Sequence, residues 1–383
     1  MFEHWISATR RFSERFGLET AAMISAHQLV VDHMGPEWVA ANCSRDSSRK
    51  MRAISEVHPL ALALKGAAEE CVLDVLRLAS YLCAFRLDPK IDEALASLRE
   101  PDKYDPTMFE LAAGWGFRRA GADVSLFPLT PNGSADLALS VDGRAYTVET
   151  SGFPSDALRD NAMSFTSAMN DALIKAETRA GLSHPVVLEI EVDDVDGRDR
   201  SPAYSAIKDA VRAFVEPENA RSEQRFSFGR IVLRSQALGE HGPTGDWTCA
   251  MRTNMGHLTL LRDLSDDPDP LVRLSKKLKR EASQLSGCTD GVIVLDIEAL
   301  GVDLINDRER LHAAAMDFGR SHRSTTGVAF VVMSYHQNGH RGLSGHYFAL
   351  APTALSETWF QHVLAHNEGD GLFQELSVLS VAE

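Results

Sequence analysis

The chemistry in this chain concentrates between Ser134 and Ser151. Asp142-Gly143 stands there between two runs of alternating apolar and polar residues. That dipeptide favours a two-residue type I′ turn, because both central residues must adopt positive φ. Such a turn sets Val141 opposite Arg144 and Leu139 opposite Tyr146, and it carries on to set Asp136 opposite Glu149. Directly opposed residues on one face have Cβ atoms ~5 Å apart. Ser151 shares that face, because side chains alternate along a strand with period two. Leu137, Leu139 and Val141 oppose Val148, Tyr146 and Arg144 on the other face, which reads mostly as core. Two opposed carboxylates repel unless something lies between them. Hard divalent cations such as Mg²⁺ take carboxylate oxygens, often only one or two from the protein, with water and phosphate completing the shell. The plainer alternative is a solvated hairpin face with both acids in water.

The elements that must hold this hairpin follow from periodicity. A helix is expected from Thr107 to Ala120, carrying Glu110 and capped by Gly121. Strands are expected at Val124–Phe127, Ala135–Val141, Ala145–Thr150 and Val186–Val192, with a helix from Asn161 to Ala180 between the last two. Further strands read at Arg230–Arg234, Gly291–Ile297, Gly327–Ser334 and His346–Ala351. Helices alternate with them at Ala203–Val215, Leu271–Leu285, Arg308–Arg320 and Ser356–His366. Strands that alternate with helices argue for an α/β fold whose mixed central sheet is flanked by helices. The first hundred residues read as helical: apolar residues recur at helical spacing from Leu60 to Leu82, and Pro59 suits a helix start. The expected organisation is a helical N-terminal region over 1–105, an α/β domain over 106–352, and a C-terminal helix and tail over 353–383.

This order resembles the restriction-endonuclease-like, or PD-(D/E)XK, nuclease superfamily: a helix with Glu110, a strand, Asp136, a hairpin to Glu149, then a helix. The resemblance covers about residues 106–192. It implies that Asp136 and Glu149 hold Mg²⁺ or Mn²⁺, that Glu110 is the optional helix acid, and that the substrate is a phosphodiester in DNA or RNA. It also implies a setting in restriction or phage defence. Ser151 stands where the family has its lysine, and Ala135 stands where it often has proline. Serine cannot offset transition-state charge, so a cation must come from elsewhere. One candidate is Lys175 on the following helix. The others lie in Arg273, Lys276, Lys277, Lys279 and Arg280, followed by Gln284, which read together as a phosphate-contacting stripe or as a solvated helix face. Without such a replacement, the chain would be a catalytically inactive nuclease-fold protein used for binding or assembly.

Composition narrows the classes further. The chain has 383 residues, 44% hydrophobic and 24% charged, enough to bury a core without staples. A formal net charge of −15 argues against general affinity for polyanions, though not against a local basic groove. Five scattered cysteines with no C-x-x-C pair fit neither a disulfide scaffold nor a zinc ribbon. With no signal peptide and no membrane-length apolar run in the sequence, the expectation is a cytoplasmic protein with no membrane partner, associating through its N-terminal helices. Neither G-x-G-x-x-G nor a phosphate loop is present. His362 and His366, four apart, lack the glutamate of a zinc-protease helix and read as ordinary histidines.

Overall fold

The computed structural model describes residues 3–16, 18–43, 58–66, 69–153, 186–192, 205, 209, 221–226, 229–235, 249–252, 258–263, 270–300, 302–335, 341–368 and 376. Lys175 and the helix expected around it lie outside the described residues. The chain divides into two compact units, Met1–Phe153 with Asp269–Glu383, and Pro154–Pro268.

The first unit opens with seven helices: α1 (Glu3–Phe16), α2 (Thr20–Met34), α3 (Pro36–Cys43), α4 (Pro59–Lys65), α5 (Glu69–Phe85), α6 (Ile91–Leu98) and α7 (Pro101–Arg119). The periodic stretch from Leu60 to Leu82 is two helices, broken at Gly66 in extended backbone. A Cβ on Gly66 would lie 2.2 Å from Cys71 Sγ, so the break is packed too tightly for a larger residue. α7 starts earlier than the sequence suggested, with Pro101 in its first turn, where the missing N–H costs nothing. It continues through Pro106 and ends where Gly121, at φ 93°, donates its N–H to Arg118 O.

The strands of this unit are β1 (Asp123–Leu126), β2 (Leu129–Thr130), β3 (Gly133–Ser134), β4 (Leu137–Val141) and β5 (Arg144–Gly152). The second unit carries β6 (Val186–Val192), β7 (Arg221–Phe226), β8 (Gly229–Ser235), β9 (Cys249–Arg252) and β10 (Leu258–Asp263), paired in the order β7-β8-β6-β10-β9. The chain then returns to the first unit with α8 (Pro270–Gln284), β11 (Gly291–Asp296), α9 (Val302–Asn306), α10 (Arg308–Ser321), β12 (Thr325–Tyr335), β13 (Arg341–Ala349) and α11 (Glu357–Glu368). β13 begins five residues before its expected start at His346.

The sheet of the first unit has six strands in the order β1-β4-β5-β11-β12-β13. β4 runs antiparallel to β1 and β5, β11 runs parallel to β5 and β12, and β13 closes the sheet antiparallel. Both faces are covered, and β11 shows why. Its Val292 and Val294 join one core with Leu137, Val148, Trp115 and Phe360, while Ile293 and Leu295 join the other with Leu274, Leu278 and Leu311. A strand buried on both faces reads as a continuous apolar run, as Gly-Val-Ile-Val-Leu does. The first core also takes in Trp5, Met23, Leu64 and Leu76, so the N-terminal helices share it with the sheet. The chain is thus an α/β protein with a mixed sheet flanked by helices and an N-terminal helical region. No helix among the described residues is long and apolar enough to cross a membrane.

Candidate functional site

The hairpin forms in the expected register. Leu137 pairs with Val148, Leu139 with Tyr146 and Val141 with Arg144. Asp142 at φ 52° and Gly143 at φ 77° make the turn. The ladder stops at Leu137, and Asp136 uses its side chain where the main-chain pairing ends. Thr150 donates its N–H to Asp136 Oδ2 at 2.6 Å and its hydroxyl to the same oxygen at 3.0 Å. Two donors on one oxygen fix the rotation of that carboxylate beside Glu149.

Glu149 is only 2% exposed, and its Oε1 finds no hydrogen-bond partner among the described residues. Along β5 it lies beside Ile293 of β11, and Ser151 lies beside Leu295. Both neighbours face the core that α8 covers, so Glu149 and Ser151 lie on the α8 side of the sheet. Glu110 approaches from α7. Gly114, one turn further along, lets that helix lie close: a Cβ there would meet Phe85 Cζ at 3.0 Å and Leu137 Cδ2 at 3.2 Å.

The acids answer to one another. Burial, then the charge of Asp136, pushes Glu110 up to about 8. Burial raises Asp136 to about 6, against the pull of the two Thr150 hydrogen bonds, with the charge of Glu281 pushing the same way as burial. Glu149 is pushed up to about 9 by burial, then by the charges of Asp136 and Glu281. A hydrogen bond from Glu149 to Asp136 lowers the one and raises the other, so the pair shares a proton with Glu149 as donor.

Glu281 did not figure among the residues expected from sequence. It is 3% exposed on α8, beneath the helix read as a basic stripe. The signal was available: Leu274, Leu278 and Leu285 mark the buried line of that helix, and Glu281 falls on it. The basic residues of α8 divide. Lys276, Lys279 and Arg280 are exposed, Gln284 is half-buried, and Arg273 stacks its guanidinium 5.8 Å over the Phe153 ring. Lys277 turns inward, with its Nζ 3.2 Å from Glu281 Oε1 and the two side chains 13% and 4% exposed.

Among the described residues, no three histidine, cysteine, aspartate or glutamate side chains are gathered closely enough to hold a metal ion. The Asp136–Glu149 pair suits a hard cation that takes its other ligands from water or phosphate. Its donors are all oxygens, and one of them is a buried orphan. His362 is exposed on α11, and Cys43, Cys71, Cys83 and Cys288 are free thiols. Comparison with protein-family models, with curated proteins and with solved structures found no match.

Proposed function

We propose that this chain is a metal-dependent phosphodiesterase acting on DNA or RNA, with Mg²⁺ or Mn²⁺ held by Asp136 and Glu149. The observation that carries the reading is the buried, unpartnered Glu149 Oε1 beside a proton-sharing Asp136. An orphaned buried carboxylate oxygen is costly, and a divalent cation would satisfy it. The element order supports the restriction-endonuclease-like resemblance: α7 with Glu110, then β1, the β4–β5 hairpin, α8, and β11 parallel to β5.

A divalent cation bound there supplies positive charge to a phosphate oxygen and makes an attacking water more acidic. The chain supplies the rest. Thr150 holds Asp136 in one rotamer, so its carboxylate is oriented before any ligand arrives. Glu110, protonated at neutral pH in the free protein, offers a third carboxyl that can hold a water or exchange a proton with it. The exposed Lys276, Lys279 and Arg280 offer a row of phosphate contacts on α8. By the resemblance, such an activity belongs in restriction or phage defence.

Ser151 favours a second reading, a nuclease-like scaffold without catalysis that serves in binding or assembly. Mn²⁺ titration calorimetry on the wild type and on Asp136→Ala/Glu149→Ala tests the metal site itself. Binding in the wild type that the double variant loses is expected, and Mn²⁺-dependent cleavage of DNA or RNA should be lost with it. A wild type that binds no Mn²⁺ overturns the proposal. Binding without cleavage of either nucleic acid favours the scaffold.

A further inference from the structure

We infer that Lys277 is the phosphate-facing cation of this site and that Glu281 is the residue that positions it, an inference that rests on the metal-site reading above. The observation is a lysine–glutamate pair placed where a helix normally sets leucines. Leu274, Leu278 and Leu285 press α8 onto the sheet, and Glu281 sits on the same buried line with its carboxylate 3.2 Å from Lys277 Nζ. As helix support the pair is poorly built. Lysine one turn before glutamate is the weaker order for an i,i+4 pair. Taking both charges out of water costs more than an apolar pair of similar volume would. A pair kept under those terms points to a role other than holding the helix down.

Charge balance supplies that role. Two ligand carboxylates neutralise a divalent cation, and the charge of Glu281 would still face an incoming phosphodiester. Its field reaches the site, since it raises both Asp136 and Glu149. Lys277 offsets that charge from within the cluster, whereas Lys276, Lys279 and Arg280 are exposed and Arg273 lies over Phe153. Glu149 and Ser151 lie on the sheet face that α8 covers. A lysine projecting inward from α8 therefore brings to that face the positive charge that Ser151 cannot supply.

The test uses the full chain with two probes, Mn²⁺ alone and then inorganic phosphate added to the Mn²⁺-loaded protein, both by calorimetry. Lys277→Met is expected to keep Mn²⁺ affinity or tighten it, and to weaken phosphate binding by about tenfold or more, the scale of a lost charge-assisted hydrogen bond. Lys277→Arg should recover part of the phosphate affinity. Glu281→Gln should weaken phosphate binding while Mn²⁺ binding persists, a split that a purely structural role would not produce. Lys103→Met, on an exposed pair with Glu100, is the control and should change neither. Lys277→Met leaves Glu281 buried without its cation, so the double variant Lys277→Met/Glu281→Leu guards against simple misfolding. It should unfold no more easily than the wild type, bind Mn²⁺ and lose phosphate. A wild type that binds Mn²⁺ but not phosphate overturns the inference and leaves the metal site standing. Phosphate binding that survives both Lys277→Met and the double variant does the same. Absence of Mn²⁺ binding in the wild type removes the metal site, and the inference with it.

Discussion

Asp136 and Glu149 show what a single residue's surroundings do to its proton. Burial and neighbouring charge raise Glu149, Glu110 and Asp136 above ordinary carboxylates. A carboxyl whose pKa is higher in the folded state binds more protons folded than unfolded between the two values. Stability is therefore full below about pH 4, where both states are protonated, and falls as the pH rises towards the folded pKa values. Each such proton contributes a slope of up to about 1.4 kcal/mol per pH unit. Thermal unfolding without divalent metal should show Tm declining from pH 6 to pH 9. Glu149→Gln should flatten that decline and raise Tm at pH 8, and Mn²⁺ should stabilise the wild type more at pH 8 than at pH 6. A wild-type Tm independent of pH over that range would mean that the acids are not coupled as described. At this scale the sequence made Asp136 and Glu149 legible through one turn dipeptide. Glu281 was hidden because five neighbouring basic residues make α8 look solvated. Only the burial of Leu274, Leu278 and Leu285 shows which face of that helix carries it.

The hairpin is the element on which the site depends. A slip of one residue would send Asp136 to the opposite face, because side chains alternate. The register is set by a turn in which both central residues have positive φ, a conformation that costs an L-residue other than glycine roughly 1–2 kcal/mol. A Cβ on Gly143 would meet nothing within 4 Å, so Gly143→Ala isolates the backbone term. Urea unfolding should show a loss of about 1 kcal/mol. Mn²⁺ affinity should change little, since the ladder and Thr150 still hold Asp136. Unchanged stability would mean that the turn relaxes out of the left-handed region. Such a turn is readable from sequence because two adjacent residues specify it. The early start of α7 was not, because Pro101 and Pro106 look like breaks when read one at a time. What keeps that helix continuous is the packing of Tyr104, Met108 and Phe109 into the core of the N-terminal helices.

At the scale of the whole molecule, every residue assigned to the site apart from Lys175 belongs to one compact unit, although the chain leaves that unit between Phe153 and α8. Glu110, Asp136 and Glu149 come before the departure, and Lys277 and Glu281 come after the return. The two ends of the gap are close together: Arg273, in the first turn of α8, lies 5.8 Å over the ring of Phe153. Residues 154–268 can therefore be replaced by a linker of about eight glycines and serines, a flexible chain with ample reach for so short a span. The first unit holds both hydrophobic cores and the whole six-stranded sheet, so the shortened chain should unfold cooperatively and bind Mn²⁺ as the full chain does. The same variant also separates the two sources for the missing cation, because Lys175 lies in the excised stretch and Lys277 does not. Phosphate binding retained by the Mn²⁺-loaded shortened chain assigns the cation to α8. Mn²⁺ binding kept while phosphate binding is lost would assign it to Lys175, or to another group in the second unit. A shortened chain that folds without binding Mn²⁺ would show that the carboxylate pair needs the second unit to form its site.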